Sequence, residues 1–294
     1  MATVFCPLLF VSCGGDDDEP AYVPESANVN ANTTVSDAIY GRLELPRLAD
    51  GQQYKVLTYS TADYGVNMMI EWDCNKKAQR WTAYQMHRGN SATNWNRNSW
   101  KDTEWGGDPF QPDRQLPAEY RSEQEDYVGS GFNRGHICPS ADRLCSKEMN
   151  GQTYYLTNIQ PQIYDFNAGV WLTMETQVRK WNVESFRDTL FVCKGGTIDD
   201  ANLVSPTKLN SNSTMKLPVP KYFFMAILCK KDGKYKAIAF WAEHKADKST
   251  NLIPYTKSID ELEELTGIDF FCNLPDNVET AVESLVSPSS WGLK

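Results

Sequence analysis

Beyond Tyr54, apolar and polar positions alternate with the two-residue period of a half-buried strand, in runs bounded by turn residues. Residues 54–59 and 68–72 are the first two runs. Asp73-Cys74-Asn75-Lys76-Lys77 then reads as a turn, and 80–86 pairs back as a hairpin. From His87 to Glu119 the chain is polar and carries Gly106-Gly107-Asp108-Pro109, which predicts a long loop. Long loops in compact domains often hold function. A short strand is expected at 154–159. From 167 to about 183 the period becomes helical, with Val170, Trp171, Met174 and Val178 toward the core. A strand at 189–193 is ended by Gly195-Gly196, and 222–229 and 235–241 flank a hairpin with an Asp232-Gly233 turn. Residues 258–265 read as a helix with Asp260 and Glu261 in its first turn, where the helix dipole favours negative charge. A last helix falls near 277–285. The pattern has no internal repeat. It predicts an α+β fold with a mixed or antiparallel central sheet and flanking helices.

Composition sets the outer bounds. With 294 residues, 41% hydrophobic and 12% aromatic, the chain can bury a sizeable core, and we assign the domain to residues 37–294. No apolar run reaches the roughly 18 residues of a membrane-spanning helix. Residues 1–13 are an apolar run ending in Ser12 and Cys13, followed by Gly14-Gly15-Asp16-Asp17-Asp18-Glu19. This resembles a bacterial lipoprotein leader, cleaved before a cysteine that is then lipidated. The acidic run after it resembles the surface-export signal of some Gram-negative lipoproteins. The resemblance implies a lipid anchor on Cys13 and a place at the outer membrane of the cell envelope. One feature departs from it: no Lys or Arg precedes the apolar run. Residues 14–36, acidic and rich in Asn, Pro and Ser, read as a solvated tether.

Six cysteines lie beyond the leader, an even number that permits disulfides in an exported protein. No Cys-x-x-Cys pair occurs, which argues against structural zinc. Cys138 and Cys145 are close enough in sequence to pair, whereas Cys193 and Cys229 sit in apolar runs and read as buried thiols. The net charge of -9 argues against binding nucleic acid by bulk electrostatics. Between Lys76 and Glu148, eleven Lys/Arg face ten Asp/Glu, so that region is near neutral. A bound cation and a few local arginines can still supply positive charge where it matters.

The chemistry concentrates in two stretches. Gly129-Ser130-Gly131-Phe132-Asn133-Arg134-Gly135-His136 puts an imidazole past two glycine-marked bends, with an arginine two residues before it. Asn158-Ile159-Gln160-Pro161-Gln162 leads to Asn167-Ala168-Gly169-Val170-Trp171 and Glu175. On a helix, Asn167 and Glu175 are two turns plus about 80° apart, on roughly one face. A neutral histidine accepts a proton near pH 7. Oxygen ligands suit a hard, hydrated ion, and arginine's fork suits phosphate. The set fits phosphodiester hydrolysis. Bland readings compete at each position. Asn167 could be a helix cap, Glu175 a solvated charge and Arg134 a loop brace; Asn158 reads as fixing a turn. His87 and His244 lack catalytic company and are expected to be incidental.

Asn133-Arg134-Gly135-His136 resembles the Asp-Arg-Gly-His signature of the DNA/RNA non-specific endonucleases, the ββα-metal nucleases that include endonuclease G. Asn-Ile-x-Pro-Gln followed by Asn-x-Gly-x-Trp-x-x-x-Glu is similar to that family's second signature, in the same order and spacing. The resemblance covers about residues 40–285. It implies a ββα-metal motif and cleavage of DNA and RNA through backbone contacts. It further implies a His136 base, an Asn167 ligand for Mg2+ or Mn2+, Glu175 at the ion's water shell, and Arg134 at the phosphate. Arg97, in Arg97-Asn98-Ser99-Trp100, matches loosely a family arginine facing the scissile phosphate, with Arg88 as the competing candidate. Asn133 departs from the family's Asp and removes a charge beside Arg134.

Overall fold

The computed structural model describes residues 28–32, 38–100 and 107–294. The leader with Cys13, most of the 14–36 tether, and residues 101–106 of the polar loop lie outside these.

Nine strands are formed: β1 (Tyr54–Thr61), β2 (Gly65–Asp73), β3 (Ala78–His87), β4 (Asn133–His136), β5 (Ile159–Gln162), β6 (Thr189–Gly196), β7 (Tyr222–Lys231), β8 (Lys234–Glu243) and β9 (Thr256–Lys257). Seven make one antiparallel sheet in the order β1-β2-β3-β6-β7-β8-β9. β4 and β5 pair separately. The helices are α1 (Lys147–Gln152), α2 (Tyr164–Phe166), α3 (Leu172–Trp181), α4 (Pro206–Leu209), α5 (Ile259–Thr266) and α6 (Asp276–Glu283).

The large sheet is buried on both faces, which explains its near-continuous apolar strands. Along β7, Phe223, Met225 and Ile227 enter one core, while Phe224, Ala226 and Leu228 enter the other. Val170, Met174 and Val178 cover the first face. Ile259 and Leu262 of α5 and Val282 of α6 cover the second. The β7–β8 hairpin turns through Asp232 and Gly233, both at positive φ, as the Asp-Gly pair requires. β3 and β6 are direct neighbours, so the whole excursion of residues 88–188 leaves and re-enters the sheet at one seam. That excursion carries β4, β5, α2 and α3, an antiparallel strand pair followed by a helix.

Four expectations are corrected. The short strand expected at 154–159 is a 3-10 turn at Leu156–Asn158, and the strand follows as β5. Tyr155 stacks on Tyr59 at 5.7 Å, so tertiary packing takes that aromatic run. Pro161 is tolerated because a two-stranded sheet leaves one edge of β5 without a ladder partner. Gly195 and Gly196 continue β6 rather than end it, because neighbouring atoms press where side chains would be. Cys138 and Cys145 are not bridged: all six cysteines are free and buried, and the Cys145 thiol donates to Met149 Sδ at 3.0 Å. Finally, the end of the expected tether is docked. Asn28 Nδ2 donates to the Leu274 carbonyl, and Asn32 Nδ2 to that of Pro46.

The helix expected from 167 starts earlier, at Tyr164, and is broken by one π turn, Asn167–Trp171. Gly169 sits in the break at φ -104, ψ -119. Val170 N–H, freed from the helix ladder, donates to the Asp247 carbonyl at 2.8 Å. A Cβ on Gly169 would stand 2.0 Å from that same oxygen. Gly169→Ala is therefore expected to cost about 2 kcal/mol or more, by overpacking against backbone that cannot rotate away. Urea unfolding of the variant checks this, and an unchanged midpoint would contradict it.

Candidate active site

Two glycines at positive φ, Gly129 and Gly131, aim the chain into β4. Side chains alternate along a strand, so Arg134 and His136 share a face. Gly135 lies against the Gln162 side chain of β5, where a Cβ would meet it at 2.3 Å. Asn158 is fully buried, accepting from Cys138 N–H and donating to the Cys138 and Thr153 carbonyls. It fixes the turn, and with it the end of β4.

The His136 ring packs on Tyr154 at 4.9 Å and Phe110 at 5.3 Å. Its Nε2 is shielded from solvent and makes no hydrogen bond to the described residues. Burial, then the charges of Arg97 and Arg134, push the imidazole pKa far below its usual value, toward about 3. The ring is thus neutral and able to accept a proton. Arg134 lies 3.9 Å over the Phe110 ring and pairs with Asp108 at 2.6 Å. A carboxylate therefore faces this arginine although position 133 is Asn.

Arg134, Asn133, Asp108, Phe110 and Asn167 line one open cavity of about 550 Å³. The Asn167 side chain makes no hydrogen bond to the described residues and faces this space from the first position of the π turn. Gly169 interrupts the helix between Asn167 and Glu175, so the offset of about 80° that a continuous helix would give does not apply to them. Glu175 is buried, and burial raises its carboxyl to about 7 against the lowering charges of Lys194, Arg179 and Arg97. Arg97 is exposed at the start of a 3-10 turn, Arg97–Ser99, yet its charge reaches both His136 and Glu175. Arg88 instead pairs with Glu184 on the surface, at 3.3 Å.

The donor set fits a hard divalent ion. The unpartnered Asn167 amide and the Asp108 carboxylate line an open cavity, and no thiol among the described residues does. Among the described residues, Asp260, Glu263 and Glu283 also have ligand spacing, with ligand atoms within 4.8 Å of one another. They lie across the sheet from α3, and Glu263 Oε1 is already taken by the Phe270 N–H at 2.7 Å.

The family model for DNA/RNA non-specific endonucleases matches residues 52–277. The chain belongs to the DNA/RNA non-specific endonuclease family. It is a nuclease, a hydrolase of nucleic acids. A nuclease of Nostoc sp. is 30% identical over 227 residues, covering 74% of this chain and 75% of that protein. Human mitochondrial nuclease EXOG is 27% identical over 228 residues, covering 74% of this chain and 59% of its own length. The solved EndoG/EndoGI complex, a structure of EndoG inhibition, superposes with a TM-score of 0.59 at 20% identity, covering 74% of this chain and 86% of that one. That likeness supports the ββα-metal nuclease fold.

Some features of the site were missed in the sequence. Asp108 and Phe110 were read only as loop, and Tyr154 only as the start of a short strand. The Asp142–Arg179 pair, 2.9 Å apart, joins two elements distant in sequence. Lys194 is the one with a visible signal: it is a lone cation directly after the apolar run Leu190–Cys193, within the same strand. His244 is not incidental. Its Nε2 accepts the Ile163 N–H at 2.9 Å and its other nitrogen bonds the Pro220 carbonyl, which anchors the start of the 164–181 helix. Burial depresses its pKa to about 4, so it is neutral.

Because the charged form of His136 is the one disfavoured, its titration belongs below the usual value of about 6.5. In ¹⁵N NMR of metal-free protein, His136 is expected to be neutral still at about pH 5.5, and a midpoint at or above 6.5 would contradict this. The unfolded chain binds that proton more readily, so this residue costs stability as pH falls below about 6.5.

Proposed function

We propose that this nuclease is a metal-dependent, sugar-non-specific endonuclease cutting DNA and RNA with His136 as general base. The observation that carries it is the unpartnered, shielded Nε2 of a neutral histidine, beside an arginine-lined cavity that also holds Asn167. His136 accepts the proton of a water attacking phosphorus in line. Arg134 and Arg97 pair with phosphate oxygens and offset the charge that develops there. Asp108 and Phe110 hold the Arg134 fork in place. Asn167 would hold a largely hydrated Mg2+ or Mn2+ through its amide oxygen, with Glu175 orienting the surrounding water. When bound, that ion supplies Lewis-acid stabilisation of the phosphate and of the 3′-oxygen leaving group. Contacts to backbone rather than bases account for indifference to sequence.

The leader further supports a lipid anchor on Cys13 at a Gram-negative outer membrane, with external DNA and RNA as substrates. Cys13→Ala should abolish labelling by a fatty-acid probe and release the protein from membranes; labelling that persists would remove the anchor.

Cleavage of plasmid DNA and of RNA, with Mg2+ and with EDTA, tests the nuclease reading. Both polymers should be cut only with metal. His136→Ala should lose at least about 100-fold, the lower range of a general base's contribution. Cleavage that survives the substitution would assign the base elsewhere. A folded protein silent across several metals would favour a binding protein on the same scaffold.

A further inference from the structure

One charged side chain in this region is accounted for by neither the fold nor the proposed chemistry. Lys194 lies on β6, in the centre of the large sheet, and is fully buried. Residues 190 and 192 of the same strand enter the core shared with α3, so position 194 points to that face as well. Its ammonium lies 5.5 Å over the Tyr84 ring and 5.7 Å over that of Trp171, and it makes no hydrogen bond to the described residues. An unpaired ammonium in such a place is among the costliest groups to bury.

The groups around it explain why it stays. Glu175, also buried, lies one helical turn after Trp171 and one before Arg179. That is the face of α3 where the Trp171 ring meets the Lys194 ammonium and Arg179 pairs with Asp142 of the 3-10 turn Ser140–Asp142. The charges of Glu175 and Asp142 both act on Lys194. Asp142 is saturated already: Oδ1 accepts from Arg179 at 2.9 Å and Oδ2 from the Tyr84 hydroxyl at 2.9 Å. Glu175 has no such bonds, and Lys194 is the largest charge acting to keep it ionised. Two carboxylates, Glu175 and Asp142, and two cations, Lys194 and Arg179, thus form a near-neutral group between α3 and the large sheet. The aromatic wall continues toward the catalytic strand, since the Trp171 indole N–H donates to the His136 carbonyl at 3.3 Å.

We infer that Lys194 is a positioning residue whose buried ammonium is the fixed counter-charge orienting the Glu175 carboxylate toward the Asn167 site. This rests on the reading of Glu175 given above. Lys194 touches neither substrate nor ion; it acts through Glu175.

The test is a double-mutant cycle in the full chain with Lys194→Met, Glu175→Gln and both together. In cleavage assays, Lys194→Met should lower kcat about tenfold or more, with KM within about twofold, and should raise the Mg2+ concentration needed for half-maximal rate. The double variant should be no worse than Glu175→Gln alone, and Lys194→Arg should recover part of the rate. Fully additive losses, or a loss of stability with kcat intact, would overturn the inference. Two readouts need no activity. Urea unfolding of the cycle in EDTA should be non-additive. If Lys194→Met does not fold, ¹⁵Nζ-lysine NMR of metal-free wild type and Glu175→Gln decides the matter. One protected ammonium resonance should shift between them, and no shift would overturn the inference. If wild type fails to cleave with any metal, the nuclease mechanism fails, while the EDTA cycle and the NMR still report on the Lys194–Glu175 pair.

Discussion

The large sheet must be buried on both faces, and the site follows from that. Its strands are apolar on both sides, as the two interleaved sets of β7 show. Apart from single buried polar side chains such as Lys194, polar chemistry has little room on such a surface. It is placed instead in one excursion, residues 88–188, which departs from β3 and returns to its neighbour β6. The six-residue ladder between those strands holds both ends of the excursion in register. β4, β5 and the 164–181 helix are thereby fixed on one face, and the acidic C-terminal helices are confined to the other.

Within the excursion, burial does the electrical work. It keeps the His136 imidazole neutral next to two arginines, where the charged form would be repelled as well as desolvated. It raises the Glu175 carboxyl, and buried cations pull it back. An overall charge of -9 is compatible with a phosphate-handling site for the same reason. At the proposed site a phosphate would meet Arg134 and Arg97 at short range, while distant surface carboxylates are screened. Asn133 also becomes intelligible, since the carboxylate beside Arg134 is supplied by Asp108 from another loop.

The π turn links backbone to chemistry. Between Asn167 and Glu175 the helix is broken at Gly169, so the two are not held by one continuous helical ladder. That geometry persists because Gly169 admits the Asp247 carbonyl and Val170 donates its freed N–H to it. His244 secures the turn before it. A loop between β8 and β9, far along the chain, therefore holds the segment that carries Asn167.

The sequence by itself determined the family, the α+β class, most strands, and the stretch holding His136, Arg134, Asn167 and Glu175. These are local properties: alternation, turn residues and short motifs are written in neighbouring positions. It did not reveal that Tyr155–Asn158 turns rather than extends, that the cysteines remain unpaired, or that Asn28 and Asn32 dock on the domain. It was equally silent on Asp108 beside Arg134 and on Lys194 behind Glu175. Apart from the cysteines, each of these depends on a partner in another segment, from 14 residues away for Asn32 and Pro46 to 246 for Asn28 and Leu274. Whether a buried charge is tolerated, or a strand-like run bends, is decided by what the fold brings against it.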